Sequence, residues 1–330
     1  MRFSTITSTL TASAAVVCGS YTLRDNFNAS NFFNEFSFFS AADPTHGFVQ
    51  YQNLEAANLT QLAGIKQGAV YLGVDHTTVN PVNGRNSTRV QSNKDWTTGL
   101  FIADIMHAPD TACGVWPAFW TVTSEKTKDL AWPNGGEIDI YEGVNDIIAN
   151  TVTLHSGSDC NMTSKVTTSV PQGNKDGFNP ILSSNCNAGV QPGTQGCGFG
   201  HAATGTYGTP FNAAGGGIYA MEWTITDIKV YYFPRKTIPA DALTDSPDPA
   251  SWPTPISWFH DDGGCDVPAH FTAHRLVMNI NFCGDFAGNA DVFAAGSCGK
   301  EAATCQEYVA NNPKAFEGVY WQIQSIKVFQ

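Results

Sequence analysis

The chain has 330 residues, of which 42% are hydrophobic and only 14% charged, the composition of an ordinary globular protein long enough to bury a sizeable core. Its formal net charge of -12 leaves no basic stripe for neutralising phosphates, so neither nucleic acid nor an anionic membrane surface is an expected partner. A neutral ligand fits this balance.

The N-terminus, "MRFSTITSTLTASAAVVCGSYTL", opens with Arg2, continues as a mildly apolar uncharged run and reaches the small residues Cys18, Gly19 and Ser20. That order suits a signal-peptidase site, so residues 1–20 are expected to be a secretion signal and 21–330 a single domain. No later stretch approaches the ~18 uninterrupted apolar residues of a membrane span, and a soluble, extracellular monomer is expected. Setting Cys18 aside leaves an even set, Cys113, Cys160, Cys186, Cys197, Cys265, Cys283, Cys298 and Cys305, which points to disulfides. Short separations favour Cys186 with Cys197 and Cys298 with Cys305. No CxxC pair with partner histidines is present, so no structural zinc is expected. Sequons at Asn28, Asn58, Asn86 and Asn161 agree with export.

Short aromatic and β-branched runs bounded by Gly, Pro, Asn and Asp dominate the rest, the pattern of a sandwich or barrel. In order they are "GFVQYQ", "AVYLGV", "GLFIADIM", "EIDIYEG", "NTVTLHSG", "IYAMEWTITDIKVYYF", "HRLVMNINF" and "VYWQIQSIKVF". Two runs meet at Thr226-Asp227, where a hairpin is expected, with Glu222 ordering it. Residues 156–217 read as loop-rich and hold three of the cysteines. Lys236 to Pro255, with five prolines, reads as a long surface loop. "CQEYVANNPKAF" predicts a short helix stopping near Pro313.

The segment "NGGEIDIYEGVN" places Glu137, Asp139 and Glu142 within six residues. Alternation puts Glu137 and Asp139 on one face of a strand and Ile138 and Ile140 on the other, but gives Glu142 the wrong parity. A β-bulge near Ile140 and Tyr141 restores Glu142 to the acidic face. The two glutamate Cα atoms would then lie roughly 13 to 16 Å apart, and side chains leaning together approach the ~5 to 5.5 Å carboxyl separation of a retaining glycosidase. Like charges this close raise at least one carboxyl pKa, which is what an acid/base pair needs. A calcium site and a solvated acidic strand are the alternatives.

"GEIDIYEG" resembles the ExDxxE signature of glycoside hydrolase family 16, in the bulged form of laminarinases and broad β-1,3(4)-glucanases; the unbulged ExDxE form belongs to lichenases and xyloglucan-active relatives. "ADPTHGFVQY", "GRNSTR", "CGVWPAFW", "TLHSG", "GGGIYAMEW", "IKVYYFPR", "NFCGDFAG" and "YWQIQSIKVFQ" are similar to the fungal secreted members, so the resemblance covers nearly the whole mature chain. It implies an all-β fold, a β-jelly-roll sandwich of two curved antiparallel sheets with a concave substrate cleft. It also implies Glu137 as nucleophile, Glu142 as general acid/base and Asp139 as the assisting carboxylate.

Around the acids, "WPAFW" puts Trp116, Ala118 and Trp120 on one face if extended, and Trp132 lies five residues before Glu137. Indole faces stack on sugar rings, and the resemblance favours Trp120 and Trp132 as cleft residues beside Trp116. Phe286 stands where the group usually carries Trp, leaving a smaller stacking surface. His155 matches a family histidine near the acid/base side of the cleft. Asn279 is a candidate hydrogen-bonder and Arg85 a candidate for sugar hydroxyls, so a glycan on neighbouring Asn86 would crowd the cleft and that sequon is expected to be unused.

Other chemistries lack their residues: no GxSxG is present, "HFTAH" lacks the glutamate of HExxH, and no Gly-rich phosphate loop follows a strand. The expectation is a secreted endo-β-1,3-glucanase that tolerates mixed β-1,3/1,4 linkages, binds laminarin-like polysaccharide or lichenan, retains configuration, and needs no cofactor or catalytic metal. A cell-wall transglycosylase on the same fold, or a non-catalytic β-glucan-binding protein, are the alternatives.

Overall fold

The computed structural model describes residues 21–124, 130–162, 178–189, 196–201 and 205–330. The expected leader lies outside them. No helix of the described residues is long and apolar enough to cross a membrane.

Two eight-stranded antiparallel sheets pack face to face as a jelly roll. The first runs Ser257–His260, Asp227–Pro234, Gly217–Trp223, Gly99–His107, Tyr320–Phe329, Ala69–Gly73 and Ala63–Lys66, with Leu23–Asn28 paired to Tyr320–Phe329. The second, which carries the acids, runs Phe178–Ser183, Cys197–His201, Thr151–His155, Glu137–Glu142, Val115–Thr123, His274–Phe282, Arg89–Ser92 and Phe36–Phe38. Every run read as a strand from its alternation is one. Tyr141 shows how the layers join: its ring stacks on Tyr207 at 4.8 Å and meets Tyr219 and Trp321 of the opposite sheet edge-on at 5.3 and 5.1 Å. Ile138, Ile140 and Tyr141 are all fully buried in this inter-sheet core, each aromatic or aliphatic side chain contributing roughly 1.5–3 kcal/mol of burial.

The proline-rich segment is a loop, as expected, and it has a packing role. It covers the far face of the first sheet, where Trp252 packs edge-on against Tyr231 and Phe233 at 5.2 Å each, closing a second apolar cluster with Leu100, Ile102 and Ile218. The hairpin turns between Trp223 and Asp227. Glu222 ties it together, accepting from Lys229 Nζ at 3.0 Å and from the Tyr21 hydroxyl at 3.2 Å. The helix Cys305–Asn311 starts on a Thr304 cap and gives way to a 3-10 turn beginning at Pro313.

Of the two disulfides expected from short separations, Cys186–Cys197 is present. Cys298 and Cys305 instead bond to Cys113 and Cys283, and the fourth bridge is Cys160–Cys265. The correction has a topological cause. The segment after Cys283 folds back over the start of Val115–Thr123, so its cysteines find strand-end partners before each other. The loop-rich region also holds two strands not anticipated, Phe178–Ser183 and Cys197–His201.

Candidate active site

The broken alternation does produce a bulge. Against Val115–Thr123, Glu137 faces Val122, Asp139 faces Trp120 and Glu142 faces Ala118, while Ile140 is the residue without a partner. Val122, Trp120 and Ala118 share one parity, so the three acids share one face. The same face continues across the next strands, where Val277 pairs with Trp120, Asn279 with Ala118, and Arg89 with Asn279.

Each glutamate receives one indole N–H. Trp132 Nε1 donates to Glu137 Oε2 at 2.9 Å, and Trp116 Nε1 donates to Glu142 Oε1 at 2.8 Å. Asp139 lies between them at 2% exposure, which removes the solvated acidic strand as an explanation. His155 Nε2 is 3.2 Å from Asp139 Oδ2 and 4.0 Å from Glu137 Oε1. The 3.2 Å contact is off the line of a hydrogen bond, and Asp139 Oδ2 has no donor among the described residues.

Burial sets the protonation of all three acids. Loss of hydration pushes Glu137 up to about 8, reinforced by the neighbouring Asp139 charge and opposed by His155 and the Trp132 donor. Glu142 rises to about 8 for the same first two reasons, opposed by the Trp116 donor. Asp139 rises to about 8 by burial alone. Three such carboxyls on one face ionise in sequence, so one proton stays while another leaves. The glutamates, each with an N–H donor, are better placed to carry charge than donor-poor Asp139 Oδ2. Potential ligand atoms of Glu137, Asp139 and His155 lie within 4.8 Å of one another.

The other expected residues divide. Trp120 faces the acids and its Nε1 donates to Asn279 Oδ1 at 2.7 Å, so both belong to this surface. Trp132 and Phe286 are exposed, at 46% and 36%, and Phe286 meets Trp116 edge-on at 5.7 Å, which puts it at the Glu142 end. His155 is opposite Glu137 in the register, so it sits at the Glu137 end and not, as expected, on the acid/base side. An antiparallel return places a late residue opposite an early one.

Arg85 is not part of the site. It is fully buried, donates to the carbonyls of Asp75 at 3.1 Å and of Val309, and lies 3.6 Å from the Asp75 carboxylate. It therefore clamps loops inside the fold, and the reason for doubting the Asn86 sequon falls with it. The arginine on the acidic face is Arg89 of the same "GRNSTR" stretch. Its guanidinium lies over Trp120 and Phe39, 5.1 and 4.5 Å from the ring centres.

The chain is similar to known proteins over nearly its whole length. Residues 36–329 match the family model described as XgeA-like, catalytic GH16 domain. A probable endo-1,3(4)-beta-glucanase of Aspergillus fumigatus is 41% identical over 99% of this chain and 48% of its own length. An endo-1,3(4)-beta-glucanase of Arthroderma benhamiae is 40% identical over 97% of this chain and 67% of its own. The chain thus spans about half the length of several curated relatives it matches. Laminarinase 16A from Phanerochaete chrysosporium, solved with 6-O-glucosyl-laminaritriose in donor and acceptor sites, superposes with a TM-score of 0.84 at 38% identity, covering 94% of this chain and all of that one. An elongating family 16 beta-1,3-glucosyltransferase superposes with a TM-score of 0.81, also at 38% identity, over 94% of this chain and all of its own.

Proposed function

The chain belongs to glycoside hydrolase family 16, and on that footing we propose that it is an endo-acting β-1,3-glucanase, tolerant of mixed β-1,3/1,4 linkages, that works by double displacement with retention. The observation that carries this reading is the bulge that returns Glu142 to the face of Glu137, each carboxyl then accepting one indole N–H.

In the first step a Glu137 carboxylate oxygen forms a bond to the anomeric carbon while the bond to the leaving oxygen breaks. Glu142 gives that oxygen its proton, so the first product departs as an alcohol and Glu142 is left ionised. Water then attacks the anomeric carbon, Glu142 takes its proton back, and the ester to Glu137 breaks to release a β-configured product. Asp139, buried between the two, acts as the assisting carboxylate and keeps their protonation apart. Trp132, Trp120, Arg89 and Asn279 offer ring faces and polar groups to bound sugars, with Trp116 and Phe286 at the leaving-group end.

Residues 21–330 form the catalytic domain in this reading, exported behind a cleaved leader. Four disulfides among the described residues support an oxidising destination.

The test is incubation with laminarin, lichenan and soluble xyloglucan, measuring new reducing ends and product size. Laminarin and lichenan should be shortened. Binding without new reducing ends would refute the hydrolase, and products longer than the starting chain would move the assignment to the transferase chemistry named for one similar structure.

A further inference from the structure

The side chain of Asn150 is 1% exposed and engages the bulged strand with both ends of its amide. Its Oδ1 accepts from the Glu142 N–H at 2.8 Å, and its Nδ2 donates to the Ile140 carbonyl at 2.9 Å. These two backbone groups flank Tyr141, at the place where pairing with Thr151–His155 loses register. In an unbroken ladder, peptide groups of a neighbouring strand would meet such groups; here a side-chain amide does so. Asn150 is itself anchored. Its own N–H donates to Thr206 Oγ1 at 2.9 Å, and the Thr206 carbonyl accepts from the hydroxyl of fully buried Tyr219 in the opposite sheet.

We propose that Asn150 is a positioning residue for Glu142, fixing the peptides on either side of Tyr141 so that the Glu142 carboxyl points at the leaving oxygen. The inference rests on the reading of Glu142 as general acid. Trp116 holds the carboxyl end of Glu142, and Asn150 holds its backbone end. Without the amide, the Ile140 carbonyl and Glu142 N–H lose buried partners, and the bulge is free to migrate along the strand. Migration of the bulge past Glu142 turns that residue away from the sugar face, and even a ~1 Å misplacement of a catalytic group costs on the order of 10²-fold in rate.

The experiment compares kcat/KM on laminarin, whose leaving alcohol needs a proton, with kcat/KM on a 2,4-dinitrophenyl β-laminaribioside, whose phenolate does not. Both values report the steps up to formation of the covalent ester. Asn150→Ala should lose about 10²-fold on laminarin and stay near wild type on the aryl substrate. Asn150→Asp keeps the acceptor oxygen and regains a donor only when protonated, so its laminarin activity relative to wild type should rise as pH falls. Should the alanine variant fail to fold, the aspartate variant decides alone. Equal losses on both substrates, no loss on either, or no relative recovery at low pH would overturn the role of Asn150. Glu142→Gln run alongside separates the two ideas: it should lose laminarin activity selectively, and a loss without selectivity would remove Glu142 as the acid, whatever Asn150 does.

Discussion

Replacing Trp132 by Phe deletes one donor and keeps most of the ring. The deleted contact is the 2.9 Å bond from Nε1 to Glu137 Oε2, which favours the ionised nucleophile. A hydrogen bond to a charged group contributes roughly 1.5–3 kcal/mol, but Trp132 is 46% exposed, so solvent screening argues for the lower end of that range. About 1.4 kcal/mol corresponds to about one pKa unit. The acid limb of kcat/KM for laminarin should therefore move up by about one unit, a loss of about 10-fold below the limb and little on the plateau. The assay is reducing-end release from pH 3.5 to 9 at substrate concentrations well below KM. Trp116→Phe is the counterpart: it removes the 2.8 Å donor to Glu142, so the alkaline limb should move up while the acid limb stays. A uniform loss across the whole pH range in Trp132→Phe would refute the claim that this N–H favours ionisation of Glu137.

Glu137→Gln should abolish turnover while leaving laminarin binding, measured by calorimetry, close to wild type; retained turnover would remove Glu137 as nucleophile. NMR of the first product released by the wild type should show the β anomer, and an α anomer would refute retention. The site acids also set a pH dependence of stability. Because the fold raises Glu137, Asp139 and Glu142 to about 8, the folded state binds the extra protons, and this stability is full below the unfolded values near 4 and lost as pH rises through about 8. Tm should accordingly fall between pH 5 and 8 and fall less in Glu142→Gln, whereas identical slopes in the two proteins would contradict the raised values. Arg85→Met should destabilise the fold by ~3–5 kcal/mol in chemical denaturation, since it strips the charge from a buried pair, with KM for laminarin unchanged. Arg89→Met should raise KM for laminarin and, because the guanidinium lies 3.9 Å from the buried Asp43 carboxylate, cost stability as well.

The bulge was legible because a strand has period two, and three acids at these offsets share a face only if one residue is absorbed. Most strands were legible for the same reason. What escaped depends on which segments meet. Arg85 and Arg89 sit four apart in one stretch, and only pairing distinguishes them: Arg85 runs beside Val49, while Arg89 lies opposite Asn279 on the acidic face. Asn150 reads as a polar residue ahead of a strand, and its partners appear only when the bulge is built beside it. The strands "FNPILS" and "CGFGH" lack the apolar alternation that marks the others. Cys113 and Cys298 are 185 residues apart, so their pairing is a property of topology alone. The side of His155, by contrast, could have been inferred from the antiparallel return after Glu142.

The unpaired Ile140 makes the spacing of the two glutamates a matter of chain length. No substitution between residues 138 and 141 adds or subtracts a backbone step, so a library of point variants explores the grip on the polysaccharide with the acids held at one separation. Loss of the codon for Ile140 or Tyr141 changes the separation at once, giving the unbulged ExDxE spacing in which plain alternation keeps all three acids on one face. Variation in the spacing of these acids is therefore open to insertions and deletions and closed to base substitution.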